Sequence, residues 1–460
     1  MQRRFPDVLT LLTVFMVCFT VLTWVVPAGE YQRKAFGSKQ VVVPGTYETV
    51  AQNGQGIMDF LTAPGRGIVA ASDIIAFVFL VAGAFGIVGR TGAIQAFLEK
   101  VIVFGVNKPR YKLWLLPLLI TLFSLGGATF GMTEEVLVFV MLTIPFSHAL
   151  GYDTVVGVAV PFVGAGAGFA GAFINPFTVG IAQGIAQLPP GSGFRYRLFC
   201  WVVFTAVAAL FICWYASRIE ADKTLSVVHG IPTKWDEAEE QARVELTTSR
   251  SVVLALLLGS LLLLVYGVQE WGWYIQEIAG LFVGLGLLAS VVARLSAADT
   301  VEAFNRGATD VVMAALIIGF SRGLLVIAED GAIIDTILHS LAGMAEGVSP
   351  AVSVLLMFLF QSFLNFFVPS GSGQAALTMP LMAPLSDLLS LERQVAVLAF
   401  QFGDGISNLV IPTSGVTMGV LQIAGIPYDR WFRFCLPLVL LLSLIACVLL
   451  VLPVTVFAWS

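Results

Sequence analysis

Runs of about 20 apolar residues recur along the whole chain, and each is long enough to cross the hydrocarbon core of a bilayer as a helix. Of the 460 residues, 58% are hydrophobic and 12% are charged, whereas about a quarter are charged in soluble domains. These runs predict an all-α polytopic membrane protein. The continuous runs predict about nine full spans, at residues 7–27, 67–89, 153–187, 196–217, 250–268, 273–294, 308–328, 395–424 and 435–457.

Two further apolar segments, residues 111–150 and 351–390, are interrupted near their middles by turn-forming residues. The first turn reads GGATFGMTEE (126–135) and the second reads PSGSGQ (369–374). Each segment is either two full crossings or a re-entrant hairpin. Polar backbone at membrane depth is tolerated only where it is buried in protein or lines a water-filled cavity. The two turns therefore predict tips that face a cavity.

The distribution of charge predicts the orientation in the bilayer. Residues 329–350 carry acidic side chains but no lysine or arginine, whereas residues 218–250 carry several basic ones, as expected for an external and a cytoplasmic face. This orientation makes the N-terminus cytoplasmic and the C-terminus external. The apolar run at 8–26 is too long for a signal peptide and predicts a retained first helix. The basic residues that do not fit are Arg33, Lys34, Lys39, Arg195 and Arg197.

The two halves of the sequence match at a constant shift of 239 residues. The matches include Gly92-Ala93-Ile94 with Gly331-Ala332-Ile333, and Thr178 with Thr417. The second half has one extra apolar span, at 273–294, which reverses its direction through the bilayer. The sequence thus predicts two inverted repeats with re-entrant hairpins and broken helices. Such repeats are typical of secondary transporters, which bind solute between the copies, although some channels also have them.

Four helix starts are expected inside the membrane, two in each copy. Beside the two hairpin tips, the later helices break at Asn175-Pro176 and at Pro412-Thr413-Ser414-Gly415. We expect Thr133 and Ser372 to cap the second hairpin arms, and Asn175 and Ser414 to cap the second halves of the broken helices. Helix N-termini favour anions, so their convergence would suit a carboxylate.

Arg322 is the only basic residue deep in an otherwise apolar span. It could hold a solute carboxylate through two hydrogen bonds, or neutralise Asp404 or Glu134. The residues predicted to bind solute are Thr133, Glu134, Asn175, Thr178, Arg322, Asn365, Ser370, Ser372, Gly373, Gln374, Thr413 and Ser414.

Ion coupling is assigned to Glu135, Asp404 and Asn408, because ionisable residues inside spans are functional candidates. Asp404 could bind sodium, carry a proton or meet an amino group of the solute, so sodium or protons are the candidate coupling ions. No cofactor, other metal or nucleic acid partner is predicted. The sequence has no HExxH, nucleophile elbow or phosphate-binding loop, so an enzyme is not expected.

The chain resembles the C4-dicarboxylate anaerobic carrier (DcuC) family, and within it the YfcC-type branch. The resemblance covers nearly the whole chain and is most specific in GMTEEVLVF (131–139), in GYDTVVGVAVPFVGAGAGFAGAFINPFTVGIAQGIAQLPP (151–190), and in FLNFFVPSGSGQAALTMPLMAPLSD (363–387) with QFGDGISNLVIPTSGVTMGVL (401–421). It implies a transporter of the ion transporter superfamily in the bacterial cytoplasmic (inner) membrane, acting as a homodimeric elevator with scaffold and transport domains.

The resemblance also implies a division of the chain. The scaffold comprises residues 1–110 and 251–350, the transport domain comprises 111–217 and 351–460, and 218–250 is a cytoplasmic linker. Related dicarboxylate carriers have Ser-Asn-Thr at the hairpin tips, where this chain has Met132-Thr133-Glu134 and Ser370-Gly371-Ser372.

The function expected is secondary active transport, ion-coupled or by exchange, of a small carboxylate-bearing solute such as a C4-dicarboxylate or an amino acid. An acidic first tip suits a solute that also carries an amino group. The alternatives are an arginine/ornithine-type antiporter of basic amino acids and, from another class, an ion channel.

Overall fold

The computed structural model describes residues 8–36, 39–97, 100, 109–189, 191–231, 235, 245–273, 275–343, 348–389 and 391–456. The helices in chain order are α1 (Val8–Val25), α2 (Ile57–Ala70), α3 (Ser72–Arg90), α4 (Pro109–Phe130), α5 (Val136–Ala149), α6 (Thr154–Ala170), α7 (Ile181–Ile185), α8 (Phe194–Ala221), α9 (Thr248–Trp271), α10 (Ile275–Ala293), α11 (Ala297–Asp310), α12 (Val312–Asp330), α13 (Ile334–Gly343), α14 (Pro350–Asn365), α15 (Gly371–Leu388), α16 (Arg393–Ser407), α17 (Gly415–Ala424) and α18 (Tyr428–Thr455). One turn of π-helix, Pro176–Gly180, leads into α7, and one of 3₁₀-helix, Lys223–Leu225, follows α8.

The helices of residues 57–221 and 297–455 follow one another in the same order. In each stretch two helices meet at one residue, Ala71 or Val311, and two arms separated by a short turn come later. A broken helix follows, and each stretch ends with a helix of 28 residues, α8 or α18. Five of the described helices are long and apolar enough to cross a membrane, namely α3, α8, α10, α12 and α18.

The predicted spans 67–89 and 308–328 are wrong as single helices. The chain breaks at Ala71 and Val311, and the preceding helices α2 and α11 begin well upstream, at Ile57 and Ala297. Both upstream helices are amphipathic, and α11 is rich in polar residues (AADTVEAFNRGATD). A search for continuous apolar runs does not detect such helices, because only one of their faces is apolar.

Small residues join the two halves of the chain where α2 packs on α12 and α3 packs on α11. Gly67 lies directly against the backbone of Gly319 and Gly323, and a Cβ at Gly86 would lie 3.1 Å from the Cα of Gly307. Glycine permits this close approach of helix backbones. The two helix pairs therefore form one glycine seam between distant parts of the sequence.

The loop between α1 and α2 contains two short antiparallel β-ladders. β1 (Gly29–Glu30) pairs with β4 (Glu48–Thr49), and β2 (Arg33–Phe36) pairs with β3 (Lys39–Val42). This loop is tied to α13 through Asp335, which accepts hydrogen bonds from both the Arg33 guanidinium at 2.9 Å and the Tyr31 backbone N–H at 2.8 Å. The other end of the loop packs β3 against α15.

Two of the basic residues that did not fit the charge distribution have internal partners. Arg33 pairs with Asp335, and Arg197 is fully buried and donates to the Gln394 side chain at 3.2 Å. Their positions therefore reflect packing within the protein rather than the charge difference between the two sides of a membrane.

Candidate functional site

A cavity of about 240 Å³ lies where the turns of both interrupted segments, both broken helices and α12 meet. Ten of the predicted site residues line it: Thr133, Glu134, Glu135, Thr178, Arg322, Ser370, Ser372, Asn408, Thr413 and Ser414. These residues come from positions up to 281 apart in the sequence, and the fold brings them to a single cavity.

The first turn presents two carboxylates at the start of α5. Gly131 has φ +72°, and the Thr133 hydroxyl donates back to its carbonyl at 2.7 Å. The Thr133 N–H donates to the Glu135 carboxylate at 3.1 Å. The expected cap by Thr133 is therefore wrong, since its hydroxyl is used within the turn and α5 has Glu135 as its N-cap residue without a side-chain cap. Glu134 and Glu135 instead lie at the positive end of α5, where carboxylates are stabilised.

At the second turn, α15 is capped by Ser370 rather than by Ser372, so the prediction of a Ser372 cap is also wrong. Helix α15 begins at Gly371, and the Ser370 hydroxyl accepts from the Gly373 N–H at 3.4 Å. Ser372 thus lies inside the first helical turn. Both serines line the cavity, so the tip presents hydroxyl groups where the first tip presents carboxylates.

Both caps predicted for the broken helices are confirmed. The Asn175 side chain accepts from the Phe177 N–H at 2.9 Å, and the Ser414 hydroxyl accepts from the Thr417 N–H at 3.3 Å. The start of α17 lies against α12, because a Cβ at Gly415 would be 3.3 Å from the Cα of Ile318. The N-terminus of α17 thus lies beside the cavity wall that α12 forms.

Asp404 is fully buried beneath the second tip and does not line the cavity. Its Oδ1 accepts from the Asn408 side chain at 2.9 Å, while its Oδ2 has no hydrogen-bond partner among the described residues. A Cβ at Gly371 would lie 2.8 Å from that Oδ2 and 2.6 Å from Cγ2 of Thr178. The carboxylate, the tip and the first broken helix therefore meet at one point.

Arg322 lies at the junction of the cavity with a second space of about 480 Å³, which Glu30, Glu329 and Gly373 help to line. Its Nε is buried and has no hydrogen-bond partner within the described ranges, and it forms no ion pair with any described residue. The alternative that Arg322 directly neutralises Asp404 or Glu134 is therefore wrong in this conformation. Arg322 interacts electrostatically with Glu329, which also lines the second space, and the unpartnered Nε leaves the guanidinium able to bind an anion.

Three of the residues predicted to bind solute line neither space: Asn175, Asn365 and Gln374. Asn365 donates to the Asp404 carbonyl at 3.0 Å and to the Ser407 hydroxyl at 2.8 Å. Gln374 donates to the Gln361 side chain at 2.7 Å. Both side chains are fully buried. Asn365 holds α14 against α16, and Gln374 joins the two arms, α15 and α14, to each other. Gly373 lines the second space only.

The cavity also contains residues that the sequence did not single out. Phe162, Phe169, Phe177 and Trp273 supply aromatic surface, and Ser321 supplies a hydroxyl. Aromatic residues are common in apolar spans, so nothing in the sequence separated these from lipid-facing ones. Ser321 did carry a signal, since it immediately precedes Arg322.

The sequence matches the model of the family described as C4-dicarboxylate anaerobic carrier over residues 5–455. It is 36% identical to Escherichia coli YfcC, whose name proposes a basic amino acid antiporter, over 97% of this chain and 96% of that protein. It is also 29% identical to an uncharacterised Haemophilus influenzae protein, over 99% of this chain and 98% of that one.

Two solved structures resemble the fold at a TM-score of 0.45. Neisseria gonorrhoeae MtrF, described among antimetabolite efflux pumps, is 17% identical, with 100% of this chain and 97% of that chain covered. The YdaH transporter of Alcanivorax borkumensis is 15% identical, with 98% of each chain covered. Neither likeness is close enough to assign the fold.

Proposed function

The chain belongs to the C4-dicarboxylate anaerobic carrier family, and from that premise we propose that it is a secondary active transporter of a small carboxylate-bearing solute. The observation that carries this proposal is the convergence of two interrupted segments and two broken helices on one cavity. Helix ends inside a membrane protein are the usual elements of transporter binding sites. The proposal places the protein in the cytoplasmic membrane with its N-terminus inside.

The charges around the cavity favour an amino acid over a dicarboxylate. Glu134 and Glu135 present two carboxylates, whereas Arg322 is the one basic residue that lines the cavity in the described structure. Two solute carboxylates would meet like charge at the first tip, which opposes binding. A solute with one carboxylate for Arg322 and a cationic group for the glutamates fits better, and a basic amino acid meets this requirement.

Ion coupling is proposed at Asp404, with Asn408 as its hydrogen-bonding neighbour. The unpartnered Oδ2 faces Gly371 and Thr178, so sodium or a proton bound there would contact both the second tip and the first broken helix. Occupancy by the ion would in this way set the position of the tip over the cavity.

We further propose that residues 57–221 and 297–455 are inverted repeats and that the protein works as a homodimeric elevator. The recurring order of helices supports the repeats. The glycine seam joins α2, α3, α11 and α12, which supports a scaffold from the first part of each repeat. The remaining helices of each repeat would form the moving transport domain.

Uptake by the purified protein in proteoliposomes tests the function. The assay measures accumulation of radiolabelled L-arginine and of succinate, with and without gradients of sodium and protons, and competition by each unlabelled solute. We expect saturable, counterflow-competent arginine uptake that succinate competes with poorly. Non-saturating flux without counterflow would contradict the proposal and indicate a channel.

A further inference from the structure

Ser321 is a buried hydroxyl without a hydrogen-bond partner in the wall of the cavity. Its side chain is 4% exposed, its Oγ makes no hydrogen bond within the described structure, and it lines the cavity from α12. A serine inside a helix commonly donates to the carbonyl one turn back. Ser386 and Thr378 do so here, at 2.8 and 2.9 Å. Ser321 does not, although burying an unpaired hydroxyl is unfavourable.

The groups beside Ser321 are donors as well. Arg322 follows it in sequence and has a buried Nε without a partner. The start of α17 lies opposite the same part of α12 and is capped by Ser414. Thr413, which precedes this cap, is 2% exposed, and its Oγ1 also lacks a hydrogen-bond partner in the described structure. Hydroxyls, a guanidinium and a helix N-terminus on one wall are complementary to a carboxylate.

We propose that the Ser321 hydroxyl donates a hydrogen bond to the carboxylate of the transported solute and, with Arg322, forms its carboxylate subsite. This inference rests on the proposed transport function and deepens it, because it assigns recognition of the carboxylate, in the conformation of this structure, to α12 of the proposed scaffold; the solute would leave this subsite when the transport domain moves. The glutamates of the first tip then receive the cationic end of the solute.

The test compares Ser321→Ala and Ser321→Thr with the wild-type protein in proteoliposomes. The probes are L-arginine and L-argininamide, or succinate and its diamide if the wild-type protein carries succinate instead. The amide of each pair has no carboxylate. Ser386→Ala is the matched control, because Ser386 is a fully buried helical serine that is hydrogen-bonded within α15 and does not line the cavity. Thermal unfolding confirms that each variant folds, and Ser321→Cys replaces Ser321→Ala if the latter does not.

We expect Ser321→Ala to raise KM for the acid at least about tenfold, since a hydrogen bond to a charged group is lost. Inhibition by the amide should change by less than about twofold, because the amide lacks the carboxylate that Ser321 recognises. Ser321→Thr should restore the KM, and Ser386→Ala should behave as wild type.

An unchanged KM in Ser321→Ala overturns the inference, as does an equal loss for acid and amide. If the amide binds too weakly to measure, failure of Ser321→Thr to restore the KM overturns it. Absence of uptake by the wild-type protein is a separate result, which rejects the proposed function and this inference with it.

Discussion

Replacing Gly371 by alanine places a methyl group between the second tip and the residues beneath it. The new Cβ would lie 2.6 Å from Cγ2 of Thr178, 2.8 Å from Oδ2 of Asp404 and 3.1 Å from Cζ of Phe169. Ordinary contacts begin near 3.4 Å. The backbone of Gly371 is not in the left-handed region, and alanine is the better helix former, so only these contacts can make the substitution unfavourable.

To restore an ordinary contact, the tip must move away from Thr178 by about 0.8 Å, which is the difference between the 2.6 Å contact and an ordinary contact of 3.4 Å. A displacement of about 1 Å at a positioned site can reduce the rate about 100-fold. We therefore expect Gly371→Ala to lower uptake in proteoliposomes by about 100-fold. Folding should be little affected, because the tip can move into the cavity instead of compressing the core.

Two variants control this experiment. Gly284→Ala adds the same methyl on α10, where nothing lies within 4 Å, and should transport as wild type. Thr178→Ser removes the Cγ2 methyl that is closest to the new Cβ, so Gly371→Ala combined with Thr178→Ser should recover part of the lost uptake. Wild-type uptake by Gly371→Ala alone would refute the placement of the tip over Asp404.

Three further predictions follow from single side chains. Asp404→Asn keeps the shape of the side chain beside Asn408 and should abolish gradient-driven uptake without changing the unfolding midpoint; normal accumulation would exclude Asp404 as the coupling site. Glu134→Gln should weaken competition by arginine about tenfold and leave succinate no worse, whereas an equal loss of both would show that Glu134 does not select charge. Burial raises the pKa of Asp335 above its usual 3.8, and this effect is larger than the lowering by Arg33. The contribution of Asp335 to the stability of the fold is therefore present at low pH and is lost as pH rises through the raised pKa. The unfolding midpoint of wild type minus that of Asp335→Asn should fall with rising pH, and a rising difference would contradict this.

Much of the site could be predicted because polar residues and glycines stand out inside apolar sequence. Thr178, Arg322 and Thr413 were identified in this way, and all three line the cavity. The N-cap of α15 was predicted at Ser372 but lies at Ser370, two residues earlier. Both serines precede the apolar run, and the sequence does not show that only Ser370 has the extended backbone of a cap residue.

Other features depended on tertiary contacts that the sequence does not encode locally. Asn365 and Asp404 are as polar as the lining residues, yet both are fully buried outside the cavity. Helices α2 and α11 lacked continuous apolar runs, and the aromatic wall resembled lipid-facing sequence. In each case the missing information was which face of a helix meets which neighbour.

Through the glycine seam, two stretches of sequence about 250 residues apart constrain each other's substitutions during evolution. A side chain added at Gly67 would strike the backbone around Gly319 and Gly323, and one added at Gly323 would approach the carbonyl of Ala63 at 2.9 Å. A smaller side chain on the facing helix can relieve a clash with a side chain, but no substitution can relieve a clash with backbone. A larger residue at one of these glycines would therefore require whole helices to shift, so we expect the glycines to be replaced only together with such a shift.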